Sequence, residues 1–216
     1  MRVELHDLTY SVPGRVLFSR LTHTFAGAIT AAIMGPSGSG KSTLLGLVSG
    51  QLTPQSGRVH LTPAAHASLK PLIPAWIFQS SPLLSHRTAL DNAVTASLMA
   101  GHDPKDARQR AGEALHRLGL GDLAGTRVSR LSGGERQRVT VARAITARSS
   151  LILADEPTAS LDSEARGKVV EALKHAAELG ALALIATHDP WVAAQCGVRF
   201  RIEEGRLIGD EKRRLG

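Results

Sequence analysis

The sequence of 216 residues predicts an α/β protein with a doubly wound, mostly parallel sheet, and three observations support this fold class. Short continuous apolar segments alternate with helical patterns, which is typical of parallel strands that are covered on both faces. Glycine-rich or acidic residues follow some of these segments. In open α/β sheets, ligands bind just beyond the C-terminal ends of the strands. Hydrophobic residues make up 43% and charged residues 21% of the chain, which excludes a disordered or fibrous protein.

The first part of the chain predicts an antiparallel hairpin followed by a strand–loop–helix unit. Strand patterns over residues 3–8 and 16–18 flank the turn signal Pro13-Gly14. The apolar run over residues 28–34 predicts a buried strand, and residues 42–49 predict a helix that a glycine ends. An N-terminal antiparallel β part therefore precedes the first parallel strand.

The middle of the chain predicts a helical subdomain over residues 80–150, approximately, inserted into the α/β frame. Short strands are predicted just before it, over residues 57–61 and 76–78. Asp103-Pro104 supplies the N-cap and the first-turn proline of one helix, and an arginine-rich helix is predicted over residues 135–147.

The α/β pattern then returns. Residues 151–154 and 181–187 predict buried strands, with a helix over residues 163–179 between them. A terminal hairpin is predicted over residues 199–208. The whole chain, residues 1–216, is therefore predicted to form one domain that contains the helical subdomain.

Charge and cysteine content narrow the function classes. The formal net charge is +7, of which residues 1–80 contribute +4, residues 81–150 contribute +5 and residues 151–216 contribute −2. Aromatic residues are only 3% of the chain, too few for a base-stacking platform. The single cysteine excludes an internal disulfide framework and fits a reducing compartment. We expect neither a signal peptide nor a segment that spans a membrane alone.

A phosphate loop is the first motif that carries chemistry. The sequence Gly35-Pro36-Ser37-Gly38-Ser39-Gly40-Lys41-Ser42 matches G-x-x-x-x-G-K-[ST] between a predicted strand and a predicted helix. The glycines allow backbone N–H groups to point inward, Lys41 can reach the β- and γ-phosphates, and the Ser42 hydroxyl suits Mg²⁺. The motif predicts a P-loop NTPase, with nucleotide-binding residues Gly35, Ser37, Gly38, Gly40, Lys41, Ser42 and, at the α-phosphate, Thr43.

Two carboxylates follow the predicted strand over residues 151–154. Asp155 and Glu156 stand at its C-terminal end, where ligands bind in an open α/β sheet. Asp155 is placed to hold Mg²⁺. Glu156 is placed to orient or deprotonate an attacking water, because an in-line displacement needs a positioned nucleophile.

The segment Leu131-Ser132-Gly133-Gly134-Glu135-Arg136-Gln137 resembles the signature motif of ATP-binding cassette (ABC) ATPases. Ser132, Gly133 and Gly134 open a helix, so free N–H groups there form an anion site. The resemblance implies that this site caps the γ-phosphate of an ATP that the other subunit of a dimer holds.

Other elements of that family occur in order along the chain. Gln79 resembles the Q-loop glutamine, which implies a catalytic and Mg²⁺-sensing role, and residues 160–162 resemble the D-loop. His188 resembles the switch histidine that contacts the γ-phosphate. Tyr10 lies where the family has an aromatic residue that stacks on adenine, and a role as a core residue is a serious alternative.

The resemblance implies an ATP-hydrolysing subunit of an ABC transporter, with ATP and Mg²⁺ bound in a head-to-tail dimer of two copies. A separate transmembrane permease would dock near Gln79 and residues 81–92, and would hold the chain peripherally at the cytoplasmic face of the inner membrane. Residues 153–162 resemble the lipoprotein-release and macrolide-export branch, which favours export.

Two other functions fit parts of the pattern. A nucleic-acid or ribosome-associated ABC-type ATPase would use the basic charge. Such relatives usually carry tandem cassettes or long coiled-coil insertions, whereas this sequence has one cassette and only 115 residues separate Gly40 from Asp155. The signature motif argues against a P-loop kinase. We therefore expect no nucleic-acid partner, and we expect the ATP site to use only Lys41 among the basic side chains.

Overall fold

The computed structural model describes residues 1–63, 73–78 and 82–209. Its strands are Arg2–Val12 (β1), Arg15–Ala26 (β2), Thr30–Met34 (β3), Ser56–Thr62 (β4), Ala75–Ile77 (β5), Leu151–Asp155 (β6), Leu182–Ala186 (β7), Val198–Glu203 (β8) and Arg206–Gly209 (β9). Its α-helices are Lys41–Ser49 (α1), Ala89–Met99 (α2), Pro104–Arg117 (α3), Gly133–Thr146 (α4), Ser163–Glu178 (α5) and Pro190–Gln195 (α6).

The strands form two sheets, and the predicted fold class is confirmed. The six-stranded sheet has the order β5-β6-β7-β3-β8-β9, with parallel pairing from β5 to β8 and an antiparallel β9 at one edge. The three-stranded sheet has the order β2-β1-β4 and is antiparallel throughout. The predicted N-terminal hairpin is β1 and β2.

The central strands are buried on both faces, which explains why they are continuously apolar. Leu151 and Leu153 of β6 pack into the hydrophobic cluster that contains β1, β2 and α1. The alternate residues, Ile152 and Ala154, pack into a second cluster with the helices α2 to α5. Side chains alternate between the faces of a strand, so one short apolar segment contributes to both cores.

Helix α2 is missing from the sequence-based prediction, although its N-terminus carries a clear signal. The Thr88 hydroxyl accepts a hydrogen bond from the Asp91 N–H at 3.1 Å, and the Asp91 carboxylate accepts one from the Thr88 N–H at 3.3 Å. This reciprocal pair is a capping box. The apolar stripe of α2 is narrow, with Ala89, Ala93 and Val94 buried, so periodicity alone did not reveal it.

The segment between β5 and β6 is helical where the structure describes it. Helix α4 packs against both α2 and α3 and also contacts α5, so it connects these helices to the sheet. The treatment of residues 80–150 as a distinct subdomain stays a prediction. Among the helices of the described ranges, none combines the length and the apolar composition that crossing a bilayer requires.

Candidate active site

The strand order brings distant segments to one edge of the large sheet. Strands β6, β7 and β3 are parallel neighbours, so their C-terminal ends meet at that edge. Asp155 ends β6, His188 follows β7, and the phosphate loop of residues 35–42 follows β3. The Glu156 N–H donates a hydrogen bond to the Ala186 carbonyl at 2.9 Å, which extends the β6–β7 ladder to the first residue after the strand.

The phosphate loop has a backbone that only glycine adopts easily. Gly38 and Gly40 have φ values of 77° and 103°, in the left-handed region that disfavours other residues. A Cβ on Gly40 would lie 2.8 Å from Cζ of the buried Phe18. Gly40 also supplies no side-chain cap to α1, so the first N–H groups of that helix remain open for an anion.

The loop forms the floor of a cleft of about 790 Å³. The predicted residues that line it are Ser37, Gly38, Gly40, Lys41, Ser42, Thr43, Asp155, Glu156 and His188. Val12, Arg15 and Leu17 complete the lining and were not among the predicted site residues. They flank the predicted turn Pro13-Gly14, but nothing in the local sequence shows that this turn lies over the phosphate loop.

Lys41 is held across the phosphate loop. Its side chain is buried, and the ammonium Nζ donates hydrogen bonds to the carbonyl oxygens of Gly35 at 2.9 Å and Pro36 at 3.1 Å. Two backbone acceptors therefore fix the position of the positive charge beside the N-terminus of α1. The ammonium group and the helix N-terminus both favour an anion there.

Glu156 and His188 form a pair that lines the same cleft. Glu156 Oε1 accepts a hydrogen bond from the His188 backbone N–H at 3.1 Å and lies 2.8 Å from His188 Nδ1. Glu156 has a φ of 47°, which is uncommon for a residue with a side chain and is found at functional sites. These contacts hold the carboxylate in one orientation.

Asp155 has the environment of a cation ligand. Its Oδ1 is buried and has no hydrogen-bond partner among the residues that the structure describes, and an unpaired buried carboxylate oxygen is costly. The Ser42 hydroxyl lines the same cleft. Carboxylate and hydroxyl oxygens suit Mg²⁺, so the residues present fit that ion.

The signature segment lies elsewhere. Ser132 caps α4 by accepting a hydrogen bond from the Glu135 N–H at 3.3 Å, and the Glu135 carboxylate accepts one from the Ser132 N–H at 2.7 Å. Ser132 and Gly133 are exposed, and neither they nor Gly134 belong to the described lining of the cleft. A ligand in the cleft of the same chain therefore does not account for this helix terminus.

One side chain connects α4, the helix that begins in the signature segment, to loops beside the cleft. The buried Gln137 of α4 donates hydrogen bonds from Nε2 to the carbonyl oxygens of Phe78 and Pro157, both at 3.3 Å. Phe78 follows β5, and Pro157 follows Glu156. The start of α4 is thus fixed relative to the loops after two parallel strands.

Two predicted site residues need separate comment. Tyr10 lies opposite Phe18 in the β1–β2 pairing and packs, half-buried, against the hydrophobic cluster of β1, β2 and α1. It does not belong to the described cleft lining, and its contact with adenine stays a prediction. Gln79 lies outside the described residues.

The glycine loop, its lysine, the acidic strand end and the sheet order define a P-loop nucleoside triphosphatase. The model of the ABC transporter family matches residues 18–159. The chain belongs to the ABC transporter family, as one of its ATP-binding ATPase cassettes.

Similar proteins fall in the same family. The chain is 41% identical over 190 residues to the macrolide export ATP-binding/permease protein MacB 1/2 of Paracoccus denitrificans, a match that covers 84% of this chain and 28% of that protein. MacB of Salmonella typhimurium is 40% identical over 185 residues, covering 82% of this chain and 28% of that protein. The chain thus spans less than a third of the length of these relatives.

A solved structure shows a similar fold over nearly the whole chain. It is the dimeric, post-hydrolysis state of the ATP-binding cassette MJ0796 bound to ADP and Pi, with 28% identity and a TM-score of 0.83. The match covers 99% of this chain and 100% of the other.

Proposed function

We propose that this chain binds ATP with Mg²⁺ and hydrolyses it in a head-to-tail dimer, and that the cycle drives a transmembrane permease, with export as the direction. One observation carries the proposal. The cleft holds a phosphate loop, Lys41 and two carboxylates, whereas the helix terminus at Ser132, which the sequence predicts to be a second anion site, lies outside the described lining of that cleft.

Binding would rely on the phosphate loop. Lys41 and the open N–H groups of α1 would hold the β- and γ-phosphates, and Thr43 would contact the α-phosphate. Ser42 and Asp155, with Gln79, would hold Mg²⁺, which would neutralise charge on the phosphates.

Hydrolysis would depend on Glu156. Its carboxylate would orient a water for in-line attack on the γ-phosphorus and accept the proton that the water loses, while the bond from the γ-phosphorus to the bridging oxygen breaks and ADP leaves. The contact of Glu156 with His188 would keep both side chains directed at the γ-phosphate. Ser132, Gly133 and Gly134 of a second copy would complete the site.

Two single variants test the head-to-tail arrangement. Lys41→Ala removes the phosphate-binding charge. Gly133→Asp places a negative charge at the signature helix, where a Cβ meets no atom within 4 Å and an acid in the first turn does not harm the helix. Each variant alone is expected to lose ATPase activity, because both sites of each homodimer are damaged.

A 1:1 mixture of the two variants is expected to recover activity. About half of the dimers would contain one chain of each kind, and each would have one intact site, so the mixture would reach about a quarter of the wild-type rate. A chain that carries both changes, mixed with either single variant, is the control, because no intact site can form. If the first mixture stays inactive, the head-to-tail arrangement is wrong.

The permease is proposed from the relatives and from exposed apolar residues. The similar MacB proteins are named ATP-binding/permease proteins. Leu84, next to α2, and Leu98 and Met99, at its C-terminal end, are exposed apolar side chains. Buried Asn92 fixes Leu84 to α2 through hydrogen bonds of 2.8 and 3.1 Å. We infer that this helix contacts the permease at the cytoplasmic face of the membrane.

Isolation of the complex from membranes tests that contact. A cross-linkable residue in place of Met99 is expected to capture a transmembrane protein or domain, whereas the same residue in place of Leu179, exposed at the end of α5, is the control. Equal capture at both positions would contradict the assignment of this surface.

A further inference from the structure

We propose that Arg15 is a second cationic ligand of the nucleotide, beside Lys41, and that its guanidinium binds the phosphate chain. The inference rests on the proposed function, since it concerns the same cleft. It departs from the expectation that Lys41 is the only basic side chain that the ATP site uses. Arg15 lies 26 positions before Lys41 in the sequence, outside every motif of the site.

The hairpin positions Arg15 over the phosphate loop. Arg15 is the first residue of β2 and pairs with Val12 across the turn. Its Nη1 lies 3.6 Å from the position that a Cβ on Gly38 would occupy. Gly38 is in the middle of the phosphate loop, so the guanidinium lies beside the backbone whose N–H groups would bind the phosphates.

A second contact fixes this position of the hairpin. Phe18, three residues along β2, is fully buried and would touch a Cβ on Gly40 at 2.8 Å. The same strand therefore packs against the phosphate loop at Gly40 and reaches over it at Gly38. Because Phe18 anchors the strand, the Arg15 side chain starts from a fixed point at the rim of the cleft.

The charged side chains around the cleft do not balance the negative charge of a bound triphosphate, so a second cationic side chain would stabilise it. Lys41 is hydrogen-bonded to two backbone carbonyls, and the carboxylates of Asp155 and Glu156 line the same cleft. A triphosphate brings several further negative charges into this space. Within the described ranges, Arg15 forms no ion pair with a carboxylate, so its guanidinium can pair with phosphate oxygens in the bidentate geometry that arginine favours.

Stacking of the guanidinium on the base is the other contact that arginine could make with this ligand. The position beside Gly38 favours the phosphates, because that glycine belongs to the phosphate-binding loop. The two contacts differ in which nucleotides they strengthen. A phosphate contact strengthens ATP and ADP over adenosine, whereas a base contact strengthens all three equally.

The experiment measures the dissociation constants of ATP, ADP and adenosine for the full chain, in EDTA so that no hydrolysis occurs. The variants are Arg15→Ala and Arg15→Lys. The control is Arg58→Ala, which removes an exposed arginine of the edge strand β4 outside the described cleft lining. Thermal unfolding of each variant checks that the fold is retained.

Arg15→Ala is expected to weaken ATP binding about tenfold, the size of a charge-assisted hydrogen bond at an exposed site, and to leave adenosine binding unchanged. Arg15→Lys restores part of the affinity, and high salt reduces the difference between wild type and Arg15→Ala. Unchanged ATP binding in Arg15→Ala, or an equal loss for ATP and adenosine, overturns the inference. Loss of ATP binding by the wild type would instead overturn the proposed function, so the two failures are distinguishable.

Discussion

The N-termini of α1 and α4 are both candidate anion sites, but they are built differently. Helix α1 starts after Gly40, has no side-chain cap and opens onto a cleft with Lys41. Helix α4 starts after Ser132, and a capping box with Glu135 satisfies two of its backbone N–H groups. The first terminus is therefore prepared for an anion within its own chain, whereas the second is stable and exposed without one.

The residues around the two termini also differ. The α1 terminus lines the same cleft as Asp155, Glu156 and His188, so two carboxylates and an imidazole lie in the space onto which it opens. At the α4 terminus, Gly134 lies close to Leu161, with a Cβ on the glycine at 3.2 Å from Leu161 Cδ2. The α1 terminus therefore lies among the predicted site residues of its own chain, whereas the contact of the α4 terminus with a second chain stays a proposal.

The largest expected effect falls on the α1 side. Glu156→Gln removes the group that accepts a proton but keeps an oxygen that can accept the His188 N–H. We expect the ATPase rate to fall by about 10²- to 10⁴-fold, the usual contribution of a general base. ATP binding should persist, and ATP-bound dimers should accumulate, as measured by size-exclusion chromatography.

A matched variant makes that result specific. Glu164→Gln changes an exposed carboxylate in the first turn of α5, which pairs with Lys168 at 2.6 Å, and should leave the rate unchanged. Full turnover by Glu156→Gln would exclude Glu156 as the general base.

A smaller effect is expected from changes at the α4 terminus. Ser132→Ala removes the cap and should lower the free energy of unfolding by about 1 kcal/mol, measured by urea denaturation. Ser132→Asp keeps a capping oxygen, so stability should be retained, but its negative charge should repel the γ-phosphate of the partner and lower ATPase activity. ATP binding by a single chain should be normal in both variants.

If Ser132→Asp hydrolyses ATP at the wild-type rate, the α4 terminus does not contact the phosphate of the partner. Unaltered stability of Ser132→Ala would show that the cap contributes little and that α4 is held by its packing alone.

The smallest expected effect concerns the pH dependence of stability through His23 of β2. Burial lowers the pKa of His23 below its ordinary value of 6.5, and the ring packs between Phe25 at 4.6 Å and Phe200 at 4.7 Å. The unfolded chain therefore binds this proton more readily than the folded chain. Stability should decrease as the pH falls below about 6.5, because the contribution of neutral His23 is lost there.

Unfolding measured at pH 8 and pH 5.5 checks this, with His23→Leu expected to show a smaller decrease than the wild type. His60→Leu, at an exposed histidine of β4, should behave like the wild type. An equal decrease in the wild type and His23→Leu would assign the pH dependence to other groups.

The sequence by itself determined the local parts of this protein. Contiguous apolar segments predicted the buried strands β3, β6 and β7, whereas β1 and β2 extend well beyond the predicted residues 3–8 and 16–18. The phosphate loop and the signature segment were recognisable because each is a continuous motif with fixed spacing. The helix boundaries agree within a few residues, as for α4, predicted over residues 135–147 and found at Gly133–Thr146. Among the α-helices of the described residues, α2 and the short α6 were not predicted, since their apolar patterns are weak or brief.

Only the tertiary structure decided which of these parts meet. Glu156 and His188 are 32 residues apart in sequence, yet their side chains are in contact, because each follows the C-terminal end of a strand and those strands, β6 and β7, are parallel neighbours in the sheet. Arg15 reaches the phosphate loop, whereas Tyr10 of the same hairpin packs against the core. Strand order and the packing of the hairpin on the loop depend on how all the apolar faces are buried together, and no local pattern contains that information.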